Sequence, residues 1–464
     1  MILGIDPGRV DGMSSAARRQ LADLLSVYEK HHSANATKER YYEGQIPLNE
    51  VNLGIALPES IGKLKIGCSW GTSAVDVLAA RSMFDGYVTE SGENVSELDQ
   101  LVIDNRLVFE YRKAARDELK YGCDFATFSR DPDIGCKIRF HSPATSAARW
   151  DGDLGRIAYG LAVIDTAPSE KDPHVWTPSQ INMYTDEYVW VLLRDGDRWS
   201  AQGYRHMMGR PLMEPLIWNA TSAKPLGQSR LKARIRNMID GYIRTVANAS
   251  IGLEFATSPQ KYLLGVTDDQ YDAVINQKFR QYVGSIIAST VNPETGEKPT
   301  FGQLTQGNIS PHVEMMRILS AQFAAATGLT ITDTGVINDA NPTSSDAILA
   351  QSQTLIAKAS ELNEGNAGAL RTIALMALAI SRDTTMDELP DELKGIVPHF
   401  KNPAMPSVAV TADAALKISS VREGFSGTDV FLEMLGFDQA EIRRIKAQEQ
   451  RARGLNTLQE MGLE

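Results

Sequence analysis

Residues able to do chemistry are few in this chain, and each stands without the company its chemistry requires. Asp6 lies in Ile2-Leu3-Gly4-Ile5-Asp6-Pro7-Gly8, the Ile-x-Gly-x-Asp-x-Gly form in which an RNase-H-like nuclease strand offers a carboxylate to a metal. That chemistry needs further acids on neighbouring strands. Here Ser14 or Ser15 opens a helix at once, so residues 1–13 read as a flexible N-terminal arm. His31-His32 suggests a metal pair only on paper, because adjacent helical positions point about 100° apart. Asp131-Pro132-Asp133 and Asp151-Gly152-Asp153 imitate the start of a calcium loop, yet the twelfth positions are Ser142 and Ala162, where a Glu is needed. Both pieces read as turns. Cys68, Cys123 and Cys136 form no C-x-x-C and read as reduced, buried, small hydrophobes. Phosphate loop, nucleophile elbow, H-E-x-x-H and G-x-G-x-x-G are all missing from the sequence. The residues favour a structural or assembly protein, with no catalytic group, cofactor or metal, over an enzyme.

Composition sets the class that must position these residues. At 464 residues, 43% hydrophobic and 23% charged, the chain has the make-up of an ordinary globular protein with material for several substructures. No window approaches the roughly 20 continuous apolar residues of a membrane span, and no secretory leader is legible. A cytoplasm-like site of synthesis is expected. The net charge of −11 counts against clamping a nucleic-acid backbone over the whole surface, though DNA can still slide past such a protein.

Periodicity divides the chain. Two helices are expected over 14–44, the first ending at His31-His32, with others at 73–83 and 95–121. Residues 137–142, 156–164 and 187–194 read as strands, with Asp195-Gly196 as a hairpin turn and Trp199 on the return strand. The first half is therefore α+β with an antiparallel sheet. Ser229 is placed to cap a helix from Arg230 to about Phe255, about 40 Å long. Its apolar stripe includes Leu231, Ile235, Ile239 and Tyr242, while Arg230, Arg234 and Arg244 fall on the opposite side. These cations read either as a solvated face or as partners for a neighbouring subunit or a polyanion.

Residues 259–307 form a small α/β insertion with a turn-rich end, Asn292 to Pro299. Ser310-Pro311 then starts a helix that Gly328 closes. A polar loop over 330–344 follows, with Asp333 and Asp339 and no Lys or Arg. Behind it a very long helix carries Ile348, Leu355, Leu362 and Leu370, with Gly365 and Gly368 where a bend is expected. Beyond Arg382 the chain becomes proline-spaced and closes with helices at 411–423, 427–435 and 438–453.

This order of parts resembles the portal proteins of tailed double-stranded DNA bacteriophages, in the Bacillus-phage-like branch, and is similar to portals of actinobacterial phages. The resemblance rests on Pro211 to Gln228 leading into Ser229-Arg230-Leu231 and Ile239-Asp240-Gly241-Tyr242. It continues through Phe323-Ala324-Ala325-Ala326-Thr327-Gly328-Leu329 and Ser344-Ser345-Asp346-Ala347-Ile348. It ends on Ala412-Asp413-Ala414-Ala415-Leu416-Lys417, Gly436-Phe437 and Ile442-Arg443-Arg444, and covers roughly residues 14–453.

The fold this resemblance implies is α+β, with a mixed α/β wing at 14–228 and a first stem helix at 229–258. A small α/β clip at 259–307, a second stem helix at 308–329 and a tunnel loop at 330–344 follow. A long kinked helix at 345–390 leads to a helical crown and tail at 391–464. The implied function is a dodecameric ring at one capsid vertex of the virion, the channel for genome packaging by the terminase and for ejection. Its partners would be itself, terminase, major capsid protein, scaffold, a head-completion adaptor and double-stranded DNA read without sequence specificity, with no membrane. Asp333, Thr334, Asn338, Asp339 and Asn341 would line the channel. Arg230, Arg234 and Arg244 would bridge subunits or form a basic belt. Asp268, Asp269, Glu294, Glu297 and Lys298 would form the clip's partner surface. The alternatives are a metal-dependent nuclease using Asp6, or another capsid-associated structural or adaptor protein.

Overall fold

A computed structural model of the chain describes residues 3–46, 66–89, 96–169, 172–257, 261–264, 296, 300–303, 308–335, 345–404, 408–437 and 439–460. Residues 3–11 are built into the fold. Asp6 accepts a hydrogen bond from the Gly8 amide and caps one 3-10 turn, after which β1 (Val10–Asp11) runs on. Leu3, Ile5 and Val10 are buried. The expected flexible arm is thus corrected: its apolar residues find a core to enter.

Helix α1 (Ser15–Tyr42) is continuous, with Ser14 capping the Ala17 amide. Two helices were expected here, but His31-His32-Ser33 contains neither Gly nor Pro, so nothing interrupts the backbone ladder. The next elements are α2 (Trp70–Ala79), β2 (Phe84–Val88), α3 (Ser96–Asp104) and α4 (Leu107–Tyr121). Eight strands follow: β3 (Cys123–Asp131), β4 (Gly135–His141), β5 (Ser146–Asp151), β6 (Arg156–Pro168), β7 (Trp176–Tyr184), β8 (Tyr188–Asp195), β9 (Arg198–Arg205) and β10 (Met213–Ile217). The remaining elements are α5 (Ala233–Thr257), β11 (Lys261–Leu264), β12 (Thr300–Gln303), α6 (Ser310–Thr327), α7 (Ser345–Ser381), α8 (Asp391–Lys394), β13 (Val397–Phe400), α9 (Val408–Val421), α10 (Asp429–Met434) and α11 (Gln439–Glu460).

The larger sheet has the order β1-β9-β8-β7-β6-β5, antiparallel except where β1 joins β9 in parallel. Helix α1 covers one face, where Leu21, Leu24 and Tyr28 meet Leu161, Ile181, Met183, Leu192 and Trp199. Both acidic D-x-D pieces are hairpin turns. Asp131 and Asp151 each accept amide hydrogen bonds from residues two and three further on.

A second sheet, β10-β3-β4, and the pair β13-β2 enclose the C-terminal half of α7. That half explains its sequence: Ile373 to Ala379 is buried at every position, so the run is apolar on all sides instead of amphipathic. The helix continues unbroken through Gly365 and Gly368. At 37 residues it is about 55 Å long.

Between the two halves of α7 lies a buried polar chain. Ser82 Oγ donates to Asn363 Oδ1 (2.6 Å) and meets the Tyr111 hydroxyl, while Asn366 Nδ2 donates to Glu118 Oε2 (2.7 Å). Glu118 is wholly buried, and desolvation pushes its pKa up to about 8. An acid more easily protonated folded than unfolded adds stability below the ordinary carboxylate range, and that contribution is lost as pH climbs to about 8. Wild-type melting temperature should therefore fall as pH rises through neutrality. Glu118→Gln, which keeps shape without a titrating proton, should give a visibly shallower decline in the same thermal scans.

Candidate functional site

Four of the sequence-predicted residues, Arg230, Arg234, Asp333 and Thr334, lie where α2, α5, α6 and α7 meet. Ile235, Ile239 and Ile243 of α5 pack with Leu319 and Phe323 of α6 and with Leu355, Ala359 and Leu362 of α7. Trp70 of α2 sits at the centre, its ring 4.7 Å from that of Phe323 and 4.3 Å from that of Tyr242. Its indole N–H donates to the Thr334 carbonyl at 2.9 Å. The start of the polar loop is thereby tied to the core.

This tie corrects the reading of Thr334. Its side chain is 6% exposed, and its hydroxyl meets Ser320 Oγ and donates to the Ile331 carbonyl. One 3-10 turn, Thr332–Thr334, places it inward, so in this subunit its side chain faces the core. Asp333 is half-buried, and one of its carboxylate oxygens accepts from the amide and hydroxyl of Thr330, at 2.9 and 2.8 Å. Asn338, Asp339 and Asn341 lie outside the described residues, as do Asp268, Asp269, Glu294, Glu297 and Lys298. Within 259–307, β11 and β12 pair antiparallel, Lys261 opposite Gln303.

Arg230 requires a second correction. The helix begins at Ala233, not at Arg230, because Ser229 Oγ is engaged in a turn, accepting from the Leu231 amide and donating to the Lys120 carbonyl. Arg230 therefore turns inward and is 8% exposed. Its guanidinium donates to the Ala74 carbonyl (2.6 Å) and to the Thr327 carbonyl (2.7 Å), and lies 5.9 Å from the Trp218 ring centroid. Burial draws its pKa down to about 10, opposed by the field of Glu361, so it stays charged at neutral pH. It belongs neither to a solvated face nor to a surface belt.

Arg234 and Arg244 are exposed, as their spacing predicts. The structure brings Arg234 together with Lys232, on a flank of the same segment, and with two cations the sequence reading passed over, Lys224 and Lys358. Lys232 is pushed below the ordinary lysine range by its own burial and then by Arg234 and Lys224. Lys358, on α7, is lowered by burial and then by Arg230, with Arg234 and Lys232 adding to the effect against Glu361. None of Lys224, Lys232, Arg234 and Lys358 makes an ion pair among the described residues. The partial positive charge at the start of α5 adds to the repulsion. The Lys358 stem also crosses the end of α6: a Cβ on Gly328, where φ is +76°, would come within 2.7 Å of Lys358 Cε. Lys358 was not legible beside Arg230 because 128 residues of chain separate them, and no local period links the two. Arg244 lies ten residues beyond Arg234, about 15 Å along α5, and is not part of this cluster.

The nuclease constellation is not assembled. Asp6 caps its turn and pairs with Arg9 at 3.4 Å, and no group of three or more His, Cys, Asp or Glu able to hold a metal occurs among the described residues. No helix among them is long and apolar enough to cross a membrane.

What these observations define is an α+β chain similar to the portal proteins of tailed phages, over nearly its whole length. The particular relative is the portal protein of Mycobacterium phage D29, 24% identical over 469 aligned residues that cover 97% of this chain and 92% of that protein. No family model matches. Among solved structures, a chain from the virion of a native gene transfer agent particle aligns at a TM-score of 0.47 and 13% identity, over 87% of this chain and 93% of that one. A chain from the neck of the native particle, with C12 symmetry, aligns at 0.42 and 12%, over 79% and 89%.

Arg230 supplies a stability test of the junction. Arg230→Ala leaves two carbonyls without their charged donor and should cost about 2–4 kcal/mol in denaturant unfolding. Arg230→Lys should recover only part of that loss, because an ammonium lacks the planar fork that reaches both carbonyls.

Proposed function

We propose that this chain is a portal subunit, a structural protein that assembles into a closed ring at one vertex of a viral capsid. The ring would be the channel through which a terminase drives DNA into the capsid and through which DNA leaves, and the platform for head-completion proteins. The observation that carries this reading is the end-to-end similarity to a curated phage portal protein, which leaves no large part of either chain unmatched. Under it, 229–258 and 308–329 are the stem helices, 259–307 the clip, 330–344 the tunnel loop, and 391–464 the crown and tail. A wedge-shaped subunit repeating one heterologous contact closes into such a ring.

The clustered cations give the reading a physical handle. Lys224, Lys232, Arg234 and Lys358 concentrate positive charge, opposed by Glu361, in a chain whose net charge is −11, and an anion facing them in the assembled state would be favoured. That anion is either the acidic surface of the next subunit or the phosphate backbone of DNA in the channel. Arg244, further along the same helix, is a separate candidate for the same role. Asp339 and Asp333 would repel phosphate at the narrowest point, keeping passing DNA from sticking.

Native mass spectrometry with electron-microscopic class averages of the purified protein should give a ring of about a dozen subunits with a central hole. A compact dimer with magnesium-dependent nuclease activity would overturn the reading. The triple variant Lys232→Glu, Arg234→Glu, Lys358→Glu should either reduce ring formation at low salt or leave rings intact with defective genome filling, which separates the two anions. Asp339→Lys should impair packaging while assembly proceeds; normal filling would remove 330–344 from the channel.

A further inference from the structure

Helix α6 carries two seams. Leu319, Phe323 and Thr327 turn toward its own subunit and are buried. Pro311, Met315, Ile318, Gln322 and Ala325, spaced alternately by four and three, are all exposed. Met315 and Ile318 leave 44% and 52% of their surface open. Four-three spacing is that of a seam along which one helix packs on another. Large apolar side chains on such a seam fit a partner, whereas a solvated face would carry charge.

Helix α5 has an open face of a different kind. Ala233, Asn237 and Arg244 fall on one side of it and are exposed, while Ile235, Ile239 and Ile243 take the core side. The two helices run antiparallel, and their relative height is fixed at two points. Arg230, just before α5, donates to the Thr327 carbonyl at the end of α6. Further along, a Cβ on Gly241 would lie 3.5 Å from a methyl carbon of Leu319. Counted from that second point at about 1.5 Å per residue, Arg244 and Glu314 differ in height by about 3 Å, and Asn237 and Gln322 by about 1.5 Å. Arg244 and Glu314 are both exposed, and neither makes an ion pair among the described residues. A ring whose axis runs along the helix pair preserves these heights from copy to copy, cation level with acid and amide level with amide.

We infer that the outer seam of α6 receives the open face of α5 from a second copy of this chain, Arg244 of one subunit pairing with Glu314 of the next and Asn237 meeting Gln322. The inference rests on the portal reading and deepens it by naming the contact that repeats around the ring. In height, Met315 and Ile318 lie between the two polar matches, so the same contact takes both out of water. It is heterologous, because each copy offers α5 on one side and α6 on the other, and it therefore closes a ring and not a two-fold dimer.

Charge reversal in the full-length chain tests it, with the ring fraction read by native mass spectrometry at low salt. Arg244→Glu and Glu314→Arg should each lower that fraction about tenfold, because like charges then meet at every contact. The double variant Arg244→Glu, Glu314→Arg should return it to within about threefold of wild type, a recovery that misfolding of either single variant could not produce. Rings unmoved by either reversal, or a double variant no better than its singles, would overturn the pairing while rings of the wild type keep the portal reading standing. A wild type that forms no ring would overturn that reading and this contact together.

Discussion

One helix is shared by two apolar cores, and the rest of the structure depends on that sharing. The N-terminal half of α7 gives Leu355, Ala359 and Leu362 to the core around Trp70, and its C-terminal half gives Leu370 to Ala379 to the core around Phe125 and Tyr111. A long helix cannot change its rise per residue, so the two cores are held about 23 Å apart along its axis. At the join, Asn363 accepts from Ser82, and Asn366 donates to the Tyr111 hydroxyl and to one oxygen of Glu118, instead of adding apolar bulk. A polar seam of this kind costs stability relative to packed hydrocarbon, and it specifies register, because a helix slipped by one residue would leave a buried carboxyl with no donor.

The junction at the start of α5 follows from this spine. Arg230 is buried because the end of α6 and the body of α2 both present carbonyl oxygens to it, and both elements are positioned by packing against Trp70 and α7. Lys358 is carried to the same place on α7. The result is a concentration of positive charge in an acidic protein, close to the point where the polar loop leaves α6.

The C-terminal helices show the opposite economy. Among the described residues they add nothing to the three apolar clusters and expose several large apolar side chains. Local stability is expected to vary widely between two such regions.

Much of this was legible without coordinates. The antiparallel hairpins around Asp131, Asp151 and Asp195-Gly196, the long α5 and α6, the Gly328 stop and the length of α7 follow from turn chemistry and period, which act over a few residues. Local pattern also misled where tertiary contacts intervened. Residues 1–13 look like a free arm until β9 offers a strand edge. Arg230 looks solvent-facing until two carbonyls arrive from residues 74 and 327. Thr334 looks like a loop polar group until Trp70 and Ser320 fix it from within. By itself the sequence determined the period of each segment and the scarcity of catalytic chemistry, because both are properties of neighbouring residues. Only the tertiary structure decided which cations meet and which acids are buried, because Coulomb and desolvation energies depend on distances between residues far apart in the chain.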